Sequence, residues 1–229
     1  MKRSTATRLL TQPEIDLARE VFQNTLPAWK LIGIRDGLGL GDAPWTDNGL
    51  LFDPKLGFVG YQIMLGSLFS GELTARTRYE GYGRIRDIFI HEMTHVWQYH
   101  RGDWVKRSAI GARIWEEVGV SFSFDFSKGT IKTTTSDEAY SYTVGKPWKD
   151  YNVEEQATIV EEWYSSEPSR WSESPGGNAS PNDVRFPYID KVIRKGGGWG
   201  MLLPLEKLKA WDGRSVPAEF KAVAKFVSP

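Results

Sequence analysis

The sequence IRDIFIHEMTHVWQYH, Ile85–His100, decides how the rest of the chain must be arranged. Its apolar residues recur at helical spacing, which predicts an α-helix over residues 84–99. Stepping around that helix by about 100° per residue gathers the large apolar side chains on one half: Ile85, Phe89, Met93, Val96 and Trp97. His91 and His95 fall on the opposite, polar half. A helix this rich in large apolar residues is expected to be central, so its polar half should also face other parts of the protein.

His91, Glu92 and His95 form an HExxH motif. Residues four apart in an α-helix lie one above the other, so both imidazoles can bind the same metal ion. Glu92 lies to one side, where its carboxylate can reach a water at the metal but cannot be the third ligand. Zinc held by two histidines and a carboxylate lowers the pKa of water and polarises a carbonyl group. The motif therefore predicts a zinc peptidase with Glu92 as general base; the alternative is a chance match on a solvated helix face.

Histidine and cysteine usage restricts the ligands of any metal site. The chain has no cysteine, which excludes disulfide bonds, thiolate nucleophiles and cysteine-ligated zinc. Its three histidines, His91, His95 and His100, all lie within ten residues. His100 follows His95 by five residues and falls on the far side of the helix, which predicts a residue at the helix end rather than a ligand. The third ligand is therefore expected to be a carboxylate.

A second predicted helix, over residues 151–164, offers four glutamates: Glu154, Glu155, Glu161 and Glu162. Its apolar stripe consists of Val153, Ala157, Val160 and Tyr164. Glu154 and Glu161 flank one edge of this stripe, and Glu155 and Glu162 flank the other. Periodicity does not choose between the two edges, and at least two of the four carboxylates are expected to be solvated.

Two segments, HEMTHVWQ at residues 91–98 and YNVEEQA at residues 151–157, resemble a known family. They are similar to zincin-type metallopeptidase domains attached to, or encoded beside, Vgr-type spike proteins of type VI secretion systems. The resemblance covers residues 10–164 in the order of elements. It implies that His91, His95 and Glu154 bind zinc and that Glu92 is the catalytic residue. Glu155 stands where that family more usually has glutamine, which leaves Glu155 as a rival ligand.

The same resemblance implies an antibacterial effector that a contractile apparatus delivers into the periplasm of a competitor. A protein or peptide substrate, a spike protein and an immunity protein would be its partners. A different class of function is also open, namely a catalytically idle, zinc-binding structural or adaptor module of a secretion or phage-tail-like particle. The intact Glu92 favours the enzyme, because a binding module needs no base beside its ligands.

Peptide hydrolysis also places negative charge on an oxygen that a side chain can stabilise. With no histidine to spare, three tyrosines are candidates for this role: Tyr140, Tyr142 and Tyr164. A packed aromatic side chain is the alternative role for each of them.

Charge and hydropathy exclude several classes of function. Lysine plus arginine equals aspartate plus glutamate at 29 each, so no overall field attracts nucleic acid or anionic lipid. No segment approaches the ~20 apolar residues that cross a bilayer. The basic first residues continue into Thr11 and Gln12 rather than into an apolar run. We therefore expect no nucleic-acid partner, no membrane span, no Sec signal peptide and a protein that is cytoplasmic as synthesised.

Flanking segments predict the rest of the fold. The expected elements are a helix at residues 11–26, a strand at 29–34, one or two strands in 56–65, a hairpin in 120–135, an exposed loop at 165–183 and helical stretches near 207 and 217–226. Without an internal repeat or a clear linker, residues 1–229 are expected to form a single domain. Its predicted class is α+β and zincin-like, with a small mixed or antiparallel sheet packed on the central HExxH helix and on a second, ligand-bearing helix.

Overall fold

A computed structural model describes the protein in thirteen stretches of the chain. The described residues are 6–37, 44–48, 51–53, 56–66, 68, 71, 73–75, 78–79, 83–101, 121–125, 130–134, 140–168 and 175–196. Within them the chain combines helices with a small mixed sheet, which confirms the predicted α+β class.

The strands, in chain order, are β1 Thr7–Leu9, β2 Ile32–Arg35, β3 Trp45–Asp47, β4 Leu51–Asp53, β5 Gly57–Val59, β6 Tyr61–Met64, β7 Arg78–Tyr79, β8 Gly83–Arg84, β9 Ser121–Asp125 and β10 Thr130–Thr134. The helices are α1 Gln12–Phe22, α2 Ile85–His100, α3 Val153–Tyr164 and α4 Phe186–Tyr188, which continues into a π-helical turn at Ile189–Ile193. Short 3₁₀ turns at Trp29–Leu31 and Trp148–Asp150 precede β2 and α3.

Four strands form a mixed sheet in the order β1-β2-β6-β3. β1 pairs antiparallel with β2, β2 runs parallel to β6, and β6 pairs antiparallel with β3. Ile32, Ile34 and Ile63 on this sheet are fully buried and belong to the main core. β3, the last strand in the order, lies against α2. The end of the sheet is therefore in contact with the HExxH helix.

α2 is the central element of the described structure. It packs against α3, β3 and β6. Phe89, Met93 and Trp97 lie in the main core with no exposed surface, and every residue of the helix from Arg86 to Tyr99 is buried. The polar half of α2 therefore faces protein, as expected for a central helix. Because buried polar groups are costly without partners, the side chains on that half must find theirs on neighbouring elements.

The structure corrects several predicted boundaries. α1 ends at Phe22 and not at residue 26, because Gln23 adopts a left-handed φ of 52° that an α-helix cannot continue. The predicted strand at residues 29–34 begins with a 3₁₀ turn, so β2 starts only at Ile32. The apolar segment at residues 56–65 forms two strands in different sheets, since β5 pairs with β4 whereas β6 pairs with β2. The predicted hairpin is confirmed by the antiparallel pairing of β9 with β10.

The predicted exposed loop at residues 165–183 is only partly exposed where the structure describes it. Gly177 is buried, and the N–H groups of Gly177 and Ala179 donate to the carbonyl oxygens of Glu162 and Trp163, each at 2.8 Å. A Cβ atom on Gly177 would lie 2.6 Å from the Trp163 carbonyl oxygen, so this close approach requires glycine. The segment therefore packs its backbone over the C-terminal end of α3. Most of its described side chains are nevertheless exposed or half-buried, as the sequence predicts.

The sequence did not predict α4 or its π-helical turn. Ile189 and Ile193 of the turn are fully buried, and the turn packs against α1. The predicted helices near residues 207 and 217–226 lie outside the described residues, and the single domain over residues 1–229 stays a prediction. Within the described part of the chain, no helix is both long enough and apolar enough to span a membrane.

Candidate metal centre

His91 and His95 of α2 and Glu154 of α3 meet where the two helices touch. The Glu154 Oε2 atom lies 3.2 Å from His91 Nε2 and 3.3 Å from His95 Nε2. The ligand atoms of the three residues all lie within 4.8 Å of one another, and the three side chains are buried. One carboxylate oxygen thus approaches both imidazoles, and the group could hold a metal ion. We call these three residues the His-His-Glu cluster.

The spacing within the His-His-Glu cluster fits a small divalent cation. Ligand atoms that lie ~2.0–2.1 Å from a tetrahedral zinc ion are separated from one another by roughly 3.3 Å. The separations of 3.2 and 3.3 Å between Glu154 and the two imidazoles agree with that value. Two imidazoles and one carboxylate accept several divalent metals, with zinc among the most common.

The start of α3 determines which glutamate reaches the histidines. Asn152 caps the helix, because its Oδ1 atom accepts from the Glu155 N–H at 2.8 Å and its own N–H donates to the Glu155 carboxylate at 2.7 Å. This capping box holds the Glu155 side chain against the first turn. Glu154 is not engaged in the cap, and its carboxylate contacts α2 instead.

Glu161 contacts the opposite side of the His91 ring from Glu154. Its Oε2 atom lies 2.9 Å from His91 Nδ1. Because a carboxylate accepts hydrogen bonds, Nδ1 carries the proton, and the second ring nitrogen, Nε2, faces Glu154. A carboxylate behind a metal-binding histidine fixes the orientation of the ring and raises its basicity. Glu161, a rival third ligand in the sequence, thus supports a histidine from behind.

A chain of amides contacts the far side of the His95 ring. Gln98 Oε1 lies 2.8 Å from His95 Nδ1, while Gln98 Nε2 donates to the Val153 carbonyl oxygen at 3.0 Å and to Gln156 Oε1 at 2.9 Å. Gln156 Nε2 in turn donates to the Trp148 carbonyl oxygen at 3.0 Å. Because backbone carbonyls only accept, the orientation of each amide is determined, and His95 Nδ1 is the donor to Gln98.

These contacts direct three acceptors toward one point. With Nδ1–H bonded to Glu161 in one ring and to Gln98 in the other, the Nε2 atoms of His91 and His95 both face the Glu154 carboxylate. Lone pairs this close repel one another unless a cation, either a proton or a metal ion, lies between them. The orientation of the donor set therefore fits a bound metal ion.

Charges within the cluster shift the pKa values of its members. Burial alone would lower the pKa of His91, but its contacts with Glu154 and Glu161 raise that pKa to about 10. Burial alone would raise the pKa of Glu154, yet the adjacent His95 and His91 hold it well below its usual range. Burial raises the pKa of Glu161 in spite of its contact with His91. Without a metal ion, the carboxylates thus keep a proton on His91.

Glu92, the predicted general base, follows His91 on α2 and is 3% exposed. The hydroxyl of Thr46, on β3, donates to Glu92 Oε2 at 2.7 Å. Thr46 belongs to β3, the last strand in the sheet order. Glu92 therefore lies where α2 contacts the sheet, next to His91 in the sequence. The structure leaves the catalytic role of Glu92 as a prediction.

The expectation that at least two of the four glutamates on α3 are solvated is wrong. Glu154, Glu155 and Glu162 are buried, and Glu161 is half-buried. Glu162, at 1% exposure, accepts from Arg185 Nη1 at 3.0 Å and from the Tyr142 hydroxyl. The physical reason is that both edges of α3 are covered, one by α2 and the other by Tyr142 and Arg185.

The three candidate tyrosines have different surroundings. The ring of Tyr140 lies 6.1 Å from that of His91, measured between centroids. The hydroxyl of Tyr142 donates to Glu162, and that of Tyr164 donates to Glu20 at 3.3 Å. Those two hydroxyls are engaged by carboxylates outside the His-His-Glu cluster, and Tyr140 remains the candidate beside it.

His100 is the last residue of α2, as predicted. Its Nδ1 atom lies 3.2 Å from the Tyr61 hydroxyl, and burial lowers the pKa of the imidazole. It does not belong to the group of residues that could hold a metal ion.

Several supporting residues were absent from the sequence predictions of the site: Thr46, Gln98 and Gln156. A signal existed for Gln98, because a polar residue three positions after His95 in a central helix lies next to that histidine. Glu161 was named only as a rival ligand, although it lies two turns from Glu154 on the same edge. Thr46 lies 46 residues before Glu92, and no local pattern connects the two.

Comparison with known proteins finds one similarity and two negative results. The type VI secretion system spike protein VgrG2b of Pseudomonas aeruginosa is 28% identical to this chain over 159 residues. The aligned region is 69% of this chain but 13% of that protein, so the chain spans only a small part of the relative's length. No protein-family model matches the chain. No solved structure matches it either.

Proposed function

We propose that this protein is a zinc-dependent peptidase in which His91, His95 and Glu154 hold the metal and Glu92 is the general base. The observation that carries the proposal is that two imidazoles of α2 and one carboxylate of α3 place their ligand atoms within 4.8 Å of one another. The helix α2 also bears the buried Glu92 next to His91. Three protein ligands leave the fourth position of a tetrahedral zinc ion open, as in catalytic zinc sites; structural sites use four.

The chemistry divides between the metal and the side chains. A bound zinc ion supplies Lewis acidity, which lowers the pKa of water and polarises a carbonyl oxygen. Glu92 takes a proton from the water oxygen as that oxygen bonds to the peptide carbonyl carbon. The C–N bond then breaks, and Glu92 passes the proton to the leaving nitrogen, so that peptide and water become a carboxylic acid and an amine. Tyr140, beside His91, is the candidate that stabilises the negative charge on the carbonyl oxygen.

A zincin-like fold is part of this proposal. In support, the HExxH helix α2 packs against α3, which carries Glu154, and against β3 at the end of a mixed sheet. These are the three parts that the resemblance of residues 91–98 and 151–157 implies: a motif helix, a second ligand-bearing helix and a small sheet.

The test combines metal analysis with hydrolysis of an unstructured protein by the wild type and by Glu92→Gln. Glutamine keeps the shape of Glu92 and an acceptor for Thr46, but it cannot take up a proton. We expect about one zinc per chain in both proteins and a kcat at least about 100-fold lower in the variant. Equal cleavage by the two proteins, or a wild type that binds no metal, would contradict the proposal.

We also propose that the protein acts together with a type VI secretion system. The support is the similarity of 159 residues of this chain to a small part of a spike protein, in addition to the resemblance of its two motif segments. In this proposal the chain binds a spike protein, enters the periplasm of a competitor as an antibacterial effector and is neutralised in the producing cell by an immunity protein.

The same similarity favours a second candidate, a catalytically idle metal-binding module, because the relative is named as a spike protein. The two candidates differ in what they require of Glu92. An idle module should bind zinc without hydrolysing protein, and Glu92→Gln should change neither property. The experiment above therefore separates them.

A further inference from the structure

The buried hydroxyl of Thr46 lies against the carboxylate of Glu92. Thr46 is 4% exposed, and its Oγ1 atom lies 2.7 Å from Glu92 Oε2 and 3.1 Å from the Glu92 carbonyl oxygen. A hydroxyl has one proton to donate, and an ionised carboxylate is the stronger acceptor of the two. The shorter contact is therefore a charge-assisted hydrogen bond from the sheet to the side chain of Glu92.

We propose that Thr46 is a positioning residue that holds the Glu92 carboxylate in the orientation needed for proton transfer. The inference rests on the proposed peptidase function and deepens it, since it assigns a role to a residue outside the HExxH motif. A glutamate side chain has several rotatable bonds, so that fixing it in one rotamer costs conformational entropy that a hydrogen bond can offset. The hydrogen bond from Thr46 to Oε2 therefore restricts the orientation of the whole carboxylate.

The sheet places Thr46 at this point in the structure. Residues alternate between the two faces of a strand, and Thr46 is buried between the half-buried Trp45 and Asp47. Its register is set by antiparallel pairing with β6, where it lies opposite the fully buried Ile63. A shift of one residue would turn Thr46 to the other face. The sheet core thus fixes the donor to Glu92.

Thr46→Val tests the role, because valine keeps the branched shape and strand preference of threonine but lacks the hydroxyl. We expect kcat to fall about 10- to 100-fold, since a misplaced catalytic group costs up to about 100-fold. KM should stay within about twofold, and zinc content should not change. Thr46→Ser, which restores the hydroxyl, should recover most of the kcat.

Thr25→Val is the matched control for the loss of a buried hydroxyl. The Thr25 hydroxyl donates to the Phe22 carbonyl oxygen at 2.6 Å and accepts from Trp97 Nε1 at 3.1 Å. Its loss should lower the melting temperature and leave kcat unchanged. If Thr46→Val lowered kcat no more than Thr25→Val does, Thr46 would be only a packing residue and the inference would be overturned.

A crystallographic readout keeps this inference separate from the peptidase proposal. In structures of wild type, Thr46→Val and Thr46→Ser, we expect one Glu92 rotamer in the first and third and a displaced or multiple rotamer in the second. That result would support the positioning role of Thr46 even if the wild type hydrolysed no protein. Absence of hydrolysis by the wild type would contradict only the peptidase proposal. The same single rotamer in all three proteins would overturn the positioning role.

Discussion

His91 and His95 stand one turn apart on α2 and face the same Glu154 oxygen, yet different groups lie behind their rings. A carboxylate, Glu161, contacts Nδ1 of His91 at 2.9 Å, whereas an amide, Gln98, contacts Nδ1 of His95 at 2.8 Å. Both contacts leave the Nε2 atom of the ring directed at the Glu154 carboxylate. The carboxylate also adds charge and helps to raise the pKa of His91 to about 10. Orientation and basicity are therefore separable properties of the two histidines, and variants of each partner can test them one at a time.

The variant Glu154→Gln replaces the carboxylate that both histidines contact, and it should have the largest effect on zinc affinity. Its Oε2 atom contacts both imidazoles, and the neutral amide neither balances a divalent charge nor matches carboxylate affinity for zinc. We expect zinc affinity to fall at least about 100-fold, measured by competition with a chromophoric chelator. Glu155→Gln is the matched control, because glutamine also completes a capping box. A larger loss in Glu155→Gln than in Glu154→Gln would show that the neighbour is the ligand.

The variant Gln98→Leu removes the amide that contacts Nδ1 of His95, and it should have the next largest effect on zinc affinity. Leucine offers no acceptor to Nδ1 and leaves the partners of the Gln98 amide unpaired, at about 1–3 kcal/mol for each buried group. Zinc affinity should fall about 10- to 100-fold, with a lower melting temperature.

The control for this loss is Gln62→Leu, which removes a buried glutamine that accepts from Arg35 at 2.7 Å on the sheet. It should be less stable but bind zinc as the wild type does. An equal loss of zinc affinity in both variants would mean that the effect of Gln98 is general destabilisation.

Replacement of the carboxylate behind His91, Glu161→Gln, should have a smaller effect than the loss of Gln98. Glutamine still offers an oxygen to Nδ1, so only the charge is lost, and we expect zinc affinity to fall about tenfold. Glu162→Gln makes the same change on the other edge of α3, at the Arg185 ion pair, and should leave zinc affinity unchanged. If Glu162→Gln were as costly as Glu161→Gln, the effect could not be attributed to His91.

The smallest expected effect is that of Glu161→Gln on the number of protons released when zinc binds. With a pKa of about 10 in the metal-free protein, His91 is protonated at pH 7.5 and must lose that proton to bind metal, so zinc affinity should rise with pH up to about 10. Calorimetry at pH 7.5 in buffers of different ionisation enthalpy should show fewer protons released by Glu161→Gln than by wild type. Identical counts would contradict the role of Glu161.

The sign of the accompanying stability change follows from the same pKa. A folded-state pKa above the ordinary value of 6.5 stabilises the metal-free protein fully below pH ~6.5, and this contribution is lost as the pH rises through about 10. The unfolding midpoint of the metal-free protein should therefore fall over that range, and it should fall less in Glu161→Gln.

The motif helix and its neighbour could be predicted from the sequence because their signals are local. Helical spacing and a four-residue step place His91 and His95 on one face of α2. The helix α3 begins at Val153, two residues after the predicted start, with Asn152 as its cap. The resemblance favoured Glu154, and the capping box explains physically why Glu155 is held elsewhere.

The parts that could not be predicted depend on contacts between distant segments. Thr46 reaches Glu92 only through the register of β3 on β6, and Glu162 is buried only because Arg185 and Tyr142 cover that edge of α3. Periodicity reports which side chains are polar. It does not report whether another element will cover them, so buried and solvated glutamates looked alike.

The most direct test of the proposed metal site is a crystal structure of the zinc-loaded protein with anomalous data at the zinc edge. We expect one ion ~2.0–2.2 Å from Nε2 of His91, Nε2 of His95 and a carboxylate oxygen of Glu154, with Glu161 and Gln98 still bonded to the Nδ1 atoms. An ion bound through Nδ1, an ion held by Glu155 or Glu161 in place of Glu154, or no ion at the three residues would contradict this expectation.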